Sequence, residues 1–67
     1  MRHHPRVYTL ANGQGMRYTF ARQASAGILI TTWAAETSMA RHLADAAEAL
    51  ACWRHLRRRG YRPALRD

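Results

Sequence analysis

Sixty-seven residues with eleven arginines, no lysine and four carboxylates carry a formal net charge of +7, and 48% of the chain is hydrophobic. A chain of this length buries only about 60% of its unfolded surface, which leaves a single small domain over residues 1–67 and no room for a catalytic cleft between lobes. The apolar content excludes a disordered tail, while the charge favours nucleic acid, anionic lipid or an acidic protein surface as partner and says nothing about fold. A bland account stands beside the charge: thirteen alanines and no lysine are a bias that a GC-rich genome can produce without selection for binding.

Residues 1–5 read as a flexible N-terminal arm. Its basic residues are not followed by an apolar run, so no secretory leader is expected. The longest apolar segment, "AGILITTWAA", is about half of a membrane span, and a cytoplasmic location is the simplest expectation. The single cysteine, Cys52, allows no intramolecular disulfide.

The sheet is expected over residues 6–33. Residues 6–11 and 16–22 are rich in β-branched and aromatic types, and "NGQG" between them supplies hairpin-turn chemistry. A two-residue Asn12-Gly13 loop would put Val7 and Thr9 on the face of Met16 and Tyr18. The apolar pattern favours an odd loop, Gly13-Gln14-Gly15 with a bulge at the second glycine, which sets Tyr8 and Leu10 beside Met16, Tyr18 and Phe20. Arg17 and Thr19 then point to the opposite face with Val7 and Thr9. "QASAG" connects to a third strand, "ILITTW" over residues 28–33, with Ile28 and Ile30 on one face and Leu29 and Trp33 on the other.

From residue 38 to residue 59 the text reads as one long helix, capped by Ser38 or Thr37 and ended by Gly60 in the left-handed C′ position. Met39, Leu43, Ala46, Leu50 and Trp53 recur at intervals of four and three and form the expected core stripe. Asp45 and Glu48 read as an exposed pair near Arg41. Residues 60–67 form a tail, either a short edge strand or a loop, because Pro63 excludes a central strand. The expected fold is therefore α+β: a small three-stranded antiparallel sheet, hairpin plus third strand, with one long C-terminal helix packed on one face.

The chemistry-bearing residues are few. Cys52 and His55, three apart on the helix, would need His3 and His4 from the arm to complete a zinc site, and His42 faces elsewhere on the expected helix, so no metal is assigned. No residue positions a general base and no glycine-rich loop opens a helix, so no enzyme, cofactor or small-molecule substrate is implied. The helix is too weakly amphipathic to favour a membrane surface over covering the hairpin.

What remains is positive charge. Arg54, Arg57, Arg58 and Arg59 crowd the helix end, where one or two cations already offset the carbonyl dipole by about 0.3–1 kcal/mol each. Arg59 projects beside Arg41 and beside Arg62 of the tail if the tail turns back, and Arg17 offers a second contact on the hairpin. The expectation is a small non-catalytic basic module that contacts the nucleic-acid phosphate backbone through these residues. The alternative is a protein-interaction regulator or inhibitor, of bacterial, phage or mobile-element type, docking on an acidic or nucleic-acid-handling surface. Leu29 and Trp33 outward would favour protein contact, and Arg17 with Thr19 outward would favour nucleic acid. Monomer and homodimer both remain open, the latter through a strand edge or the alanine face.

Overall fold

Alternation of apolar and polar side chains, period two, sets the first two strands. In the computed structural model, which describes residues 7–23 and 27–64, they are β1 (Val7–Ala11) and β2 (Met16–Arg22), paired antiparallel. Tyr8 lies opposite Phe20 and Leu10 opposite Tyr18, the pairing the odd loop demands. The Asn12 amide donates to the Met16 carbonyl at 3.1 Å, and Gly13-Gln14-Gly15 makes the turn. Asn12 Oδ1 accepts from the amides of Gln14 (2.7 Å) and Met16 (3.2 Å), the local bonding that recommends asparagine at turns. β3 (Ile28–Ala34) runs antiparallel to β2, with Ile30 opposite Phe20 and Trp33 opposite Arg17.

The expected three-stranded sheet and the helix over residues 38–59 are both overturned. Among the described residues the sheet has five strands in the order β4-β3-β2-β1-β5, and the first third of the expected helix is a strand, β4 (Thr37–Ala44). Ala34 pairs with Thr37, so the chain reverses through only two residues, Ala35 and Glu36. Turns this tight need positive φ, and Ala35 supplies it at 55° although it is neither Gly nor Asn. The Ala35 amide donates to the Gly15 carbonyl at 2.7 Å, and its own carbonyl accepts from the Arg17 guanidinium at 3.3 Å, which pins the reversal from outside. Alanine's helix preference in this stretch is a weak local prior, and the ladder offered by the open edge of β3 outweighs it. Thr37 and Ser38 therefore begin a strand instead of capping a helix. A bulge between Thr32 and Trp33 on β3 and Ser38 and Ala40 on β4 leaves Met39 as the extra residue.

The helix α1 (Ala46–Arg58) starts at Asp45, which accepts from the Glu48 amide at 2.8 Å while Glu48 accepts from the Asp45 amide at 3.3 Å. These two carboxylates form a capping box and not the exposed pair for Arg41 that the sequence suggested. At the other end Gly60, at φ 99°, donates to the Arg57 carbonyl at 3.1 Å and Tyr61 to the Leu56 carbonyl at 3.0 Å. That is the two-bond closure expected of a C′ glycine. The tail adopts the first of its two anticipated forms, an edge strand β5 (Arg62–Pro63) paired with β1 through Leu10 and Ala11. The N-terminal arm lies outside the described residues.

Leu10, Phe20, Ile30 and Ala44 from one face of the sheet meet Ala49 and Leu56 of the helix in the core. Trp53 meets Phe20 edge-on at 5.2 Å and Tyr8 at 6.3 Å, and Tyr61 meets Tyr18 at 5.5 Å. Of the expected stripe only Trp53 packs on this core, because Met39 (63% exposed) and Leu43 (60%) are strand residues and Leu50 (48%) turns outward. Ala44 and Ala49 carry no bulk, so the helix approaches the sheet along its Ala49–Leu56 side. No helix among the described residues is long and apolar enough to cross a membrane.

Two substitutions separate the observed helix face from the one the sequence suggested. Leu56→Ala should cost about 2–5 kcal/mol of unfolding free energy, and Leu50→Ala less than about 1 kcal/mol, in denaturant titrations. Ala35→Gly relieves the positive φ and should raise stability by about 0.5–1 kcal/mol in the same measurement.

Candidate functional site

The strand registers sort the sheet's second face, the one away from the helix, into three rows. Val7, Ala21, Leu29 and Leu43 form an apolar row, and Thr9, Thr19, Thr31 and Arg41 a hydroxyl row ending in a cation. Arg62, Ala11, Arg17, Trp33 and Ser38 form the third, crossing all five strands at the end where the hairpin turns. The helix and the aromatic contacts all lie on the opposite face, so no described element covers these rows. Leu29, Trp33, Arg17 and Thr19 therefore share one open face, and the feature that would tell a protein partner from nucleic acid has both halves present.

Arg17 and Trp33 form the most organised part of this face. They are cross-strand neighbours, and the Arg17 guanidinium carbon sits 4.6 Å from the Trp33 ring centroid. The Trp33 indole N–H donates to Thr19 Oγ1 at 3.0 Å, which holds the ring across β2 and β3. With its head also donating to the Ala35 carbonyl, Arg17 is fixed by a stack and a neutral acceptor, neither of which cancels its charge. A guanidinium held this way loses little side-chain entropy when it meets an oxyanion. The same contacts pin the Ala35 turn, so Arg17 has a structural task as well. The sequence reading named Arg17 and Trp33 separately and missed the pair. Treating Gln23–Gly27 as a simple loop places Arg22 opposite Ile28, and Arg17 then falls opposite Trp33 without further information.

The helix end contributes the rest. Arg54, Arg57, Arg58 and Arg59 are all exposed, and the closure through Gly60 and Tyr61 brings Arg62 into the row of Arg17 within three residues of Arg59. Arg57, Arg58, Arg59, Arg62 and Arg17 thus lie at the hairpin end of the molecule, with Arg54 one turn back along α1. Arg41 does not join them: it lies on β4, in the middle row, three strands from β1. Its expected place beside Arg59 depended on a helix that does not exist there. Among the described residues no carboxylate pairs with any of these guanidiniums. Two of the three described carboxylates, Asp45 and Glu48, are engaged in the cap at the far end of α1.

The remaining features carry less chemistry. An open groove of about 620 Å³ between the first turns of α1 and the sheet is lined by Tyr8, Phe20, Ile28, Leu50 and Trp53, with Arg22 as its one charged wall. Nothing in it converges on a reacting atom. His42 stands on β4 and His55 on α1, and among the described residues no three of His, Cys, Asp and Glu come together. His3 and His4, which the zinc arrangement required, lie outside the described residues. Cys52 is half-buried against the core, and burial raises its thiol above the ordinary value of 9.0. Comparison with known proteins returns no match, whether to a protein-family model, a curated protein or a solved structure.

The raised thiol has a measurable consequence. Below pH 9 the folded chain holds less thiolate than the unfolded chain, so alkylation of Cys52 should be slower folded than in denaturant. Because the folded state keeps its proton to higher pH, the contribution of this group to stability is complete below the unfolded value of 9.0 and declines as pH rises through the folded value. Alkylation rates across pH 7–10, with and without denaturant, check both the rate and the sign.

Proposed function

We propose that this chain is a small non-catalytic basic module that contacts the nucleic-acid backbone with its hairpin end. The observation that carries the reading is the convergence of two separate sources of charge. The helix terminus and the sheet face deliver Arg57, Arg58, Arg59, Arg62 and Arg17 to one end, without a carboxylate partner among the described residues. One or two cations satisfy a helix C-terminus, so the surplus is free to meet phosphates. Phosphate contacts position a protein without reading sequence. Affinity is expected from charge and shape, and base discrimination is expected to be small.

A second reading is supported by one observation, the uncovered apolar row of Val7, Leu29 and Leu43 on the same face. Such a row suits a protein partner whose acidic rim meets Arg17 and Arg62. Nuclease treatment separates the two readings: a partner captured from lysate that survives digestion supports the second, and one that disappears on digestion supports the first.

Affinity of the purified chain for a labelled oligonucleotide should fall steeply as salt rises from about 50 to 200 mM. Replacing Arg57, Arg58 and Arg59 by Gln should weaken binding and lower the slope of log K against log salt by roughly 2–3, since each duplex phosphate left without its cation removes about 0.9. The helix closure uses main-chain groups, so circular dichroism of this variant should be unchanged. No detectable binding at about 50 mM salt would reject the reading.

A further inference from the structure

The unclaimed feature of greatest extent is the free edge of β4. At the β5 side the sheet ends in a two-residue strand containing proline, an arrangement that discourages further pairing. At the other side stands an eight-residue strand exposed at every position except Ala44, with no described strand on its outer edge. An edge of this length leaves alternate amides and carbonyls unpaired, and proteins normally blunt such edges or fill them. The bulge at Met39 interrupts the first part of the edge, so regular pairing is left to the segment from Ala40 onward. Asp45 follows in extended backbone at φ −80° and ψ 176°, but its amide donates to Glu48 and its carbonyl accepts from Ala49, so it adds a carboxylate beside the edge and not a further free main-chain rung.

We propose that two copies of this chain pair their β4 strands antiparallel, with the two-fold axis passing through Leu43. The side chains of this segment choose the register. An axis through Arg41 would oppose two guanidiniums directly, which is destabilising for cross-strand neighbours. An axis through His42 would oppose two imidazoles and set Leu43 against Arg41. An axis through Leu43 places Leu43 opposite Leu43 of the second copy, His42 opposite its Ala44, and Arg41 opposite its Asp45. That register gives an opposite-charge pair on each side of an apolar contact and covers the 60%-exposed Leu43. It also joins the apolar row of Val7, Ala21, Leu29 and Leu43 to its symmetry copy across a ten-stranded sheet, since the row ends on the pairing edge in each chain. The axis stands perpendicular to the sheet, so both helices lie on one side and both hairpin ends remain open. Closed two-fold pairing uses up the edge in each copy and ends the assembly at two.

The dimer is independent of the nucleic-acid reading, and salt distinguishes them. Two chains of charge +7 repel, and salt screens that repulsion, so the dimer should persist or strengthen between about 0.1 and 0.5 M salt, where phosphate binding collapses. Nuclease-treated full-length chain at about 100 μM, measured by light scattering after size exclusion, should run as a dimer at both salt concentrations. Leu43→Arg, which sets guanidiniums face to face across the axis, should run as a monomer with unchanged circular dichroism. Leu43→Cys should form a covalent dimer on mild oxidation, because directly opposed cross-strand residues lie within disulfide range, about 4.4–6.8 Å between Cα atoms. His42→Cys, offset across the axis, should cross-link no faster than the parent chain with Cys52 alone. A monomer at both salt concentrations, or cross-linking faster through His42→Cys than through Leu43→Cys, would overturn the proposal.

Discussion

The reversal at Ala35 and Glu36 is the constraint on which the rest of this molecule depends. It folds β4 back onto β3, and without it the segment after Trp33 would be free to follow its alanine content into a helix. Nothing in the two turn residues themselves favours the positive φ that Ala35 adopts. The conformation is held from outside, by the Gly15 carbonyl that accepts the Ala35 amide and by the Arg17 guanidinium on the Ala35 carbonyl. A left-handed alanine costs on the order of 1 kcal/mol, and the β3–β4 ladder formed beyond it supplies the compensation. The tip of the first hairpin therefore supplies the partners of the Ala35 turn.

Once β4 exists, the helix has a fixed point of departure. Ala44 is buried at the end of the strand, and Asp45 immediately begins α1 with a reciprocal cap to Glu48. The thirteen residues of α1 then cross the sheet from the β4 end to the β1 end and deliver Leu56 to the core, and the turn after them sets Tyr61 against Tyr18. One helix can cover only one face of a five-stranded sheet, so no described element covers the second face or the far edge. A core of six buried apolar residues among those described is small, and for such a chain surfaces completed by association are a physical expectation.

Charge is distributed by the same topology. The helix runs toward the hairpin end, so the cations that suit its C-terminus are carried to the place where Arg17 is already stacked on Trp33. The carboxylates Asp45 and Glu48 stay behind at the helix N-terminus, where they favour the dipole and cap the chain. Helix polarity therefore segregates acid from base along the molecule, and arginines beyond the one or two that the helix terminus needs add to the cationic end. Arg17 joins both networks, since it steadies the turn that makes β4 and contributes a preoriented guanidinium to the open face.

Much of this was legible in local text. The hairpin, its odd loop and the two faces of β1, β2 and β3 follow from alternation and from the glycines of "NGQG", and the helix end follows from Gly60. Those features are encoded by residues within a few positions of one another, so chemistry that acts locally reveals them. The Asp45–Glu48 spacing was also readable as a helix start, and the continuous stripe drawn from Met39 to Trp53 obscured it. What local text does not contain is β4. Thr37–Ala44 has no strong preference of its own, and its turn has no turn residue, so its state was decided by an edge of β3 and by contacts from Gly15 and Arg17 some twenty residues earlier. Tertiary structure alone therefore decided the number of strands, the place of Arg41 and the company of Arg17. Each of these depends on which distant backbone groups are left to be paired, and periodicity within a segment carries no trace of that.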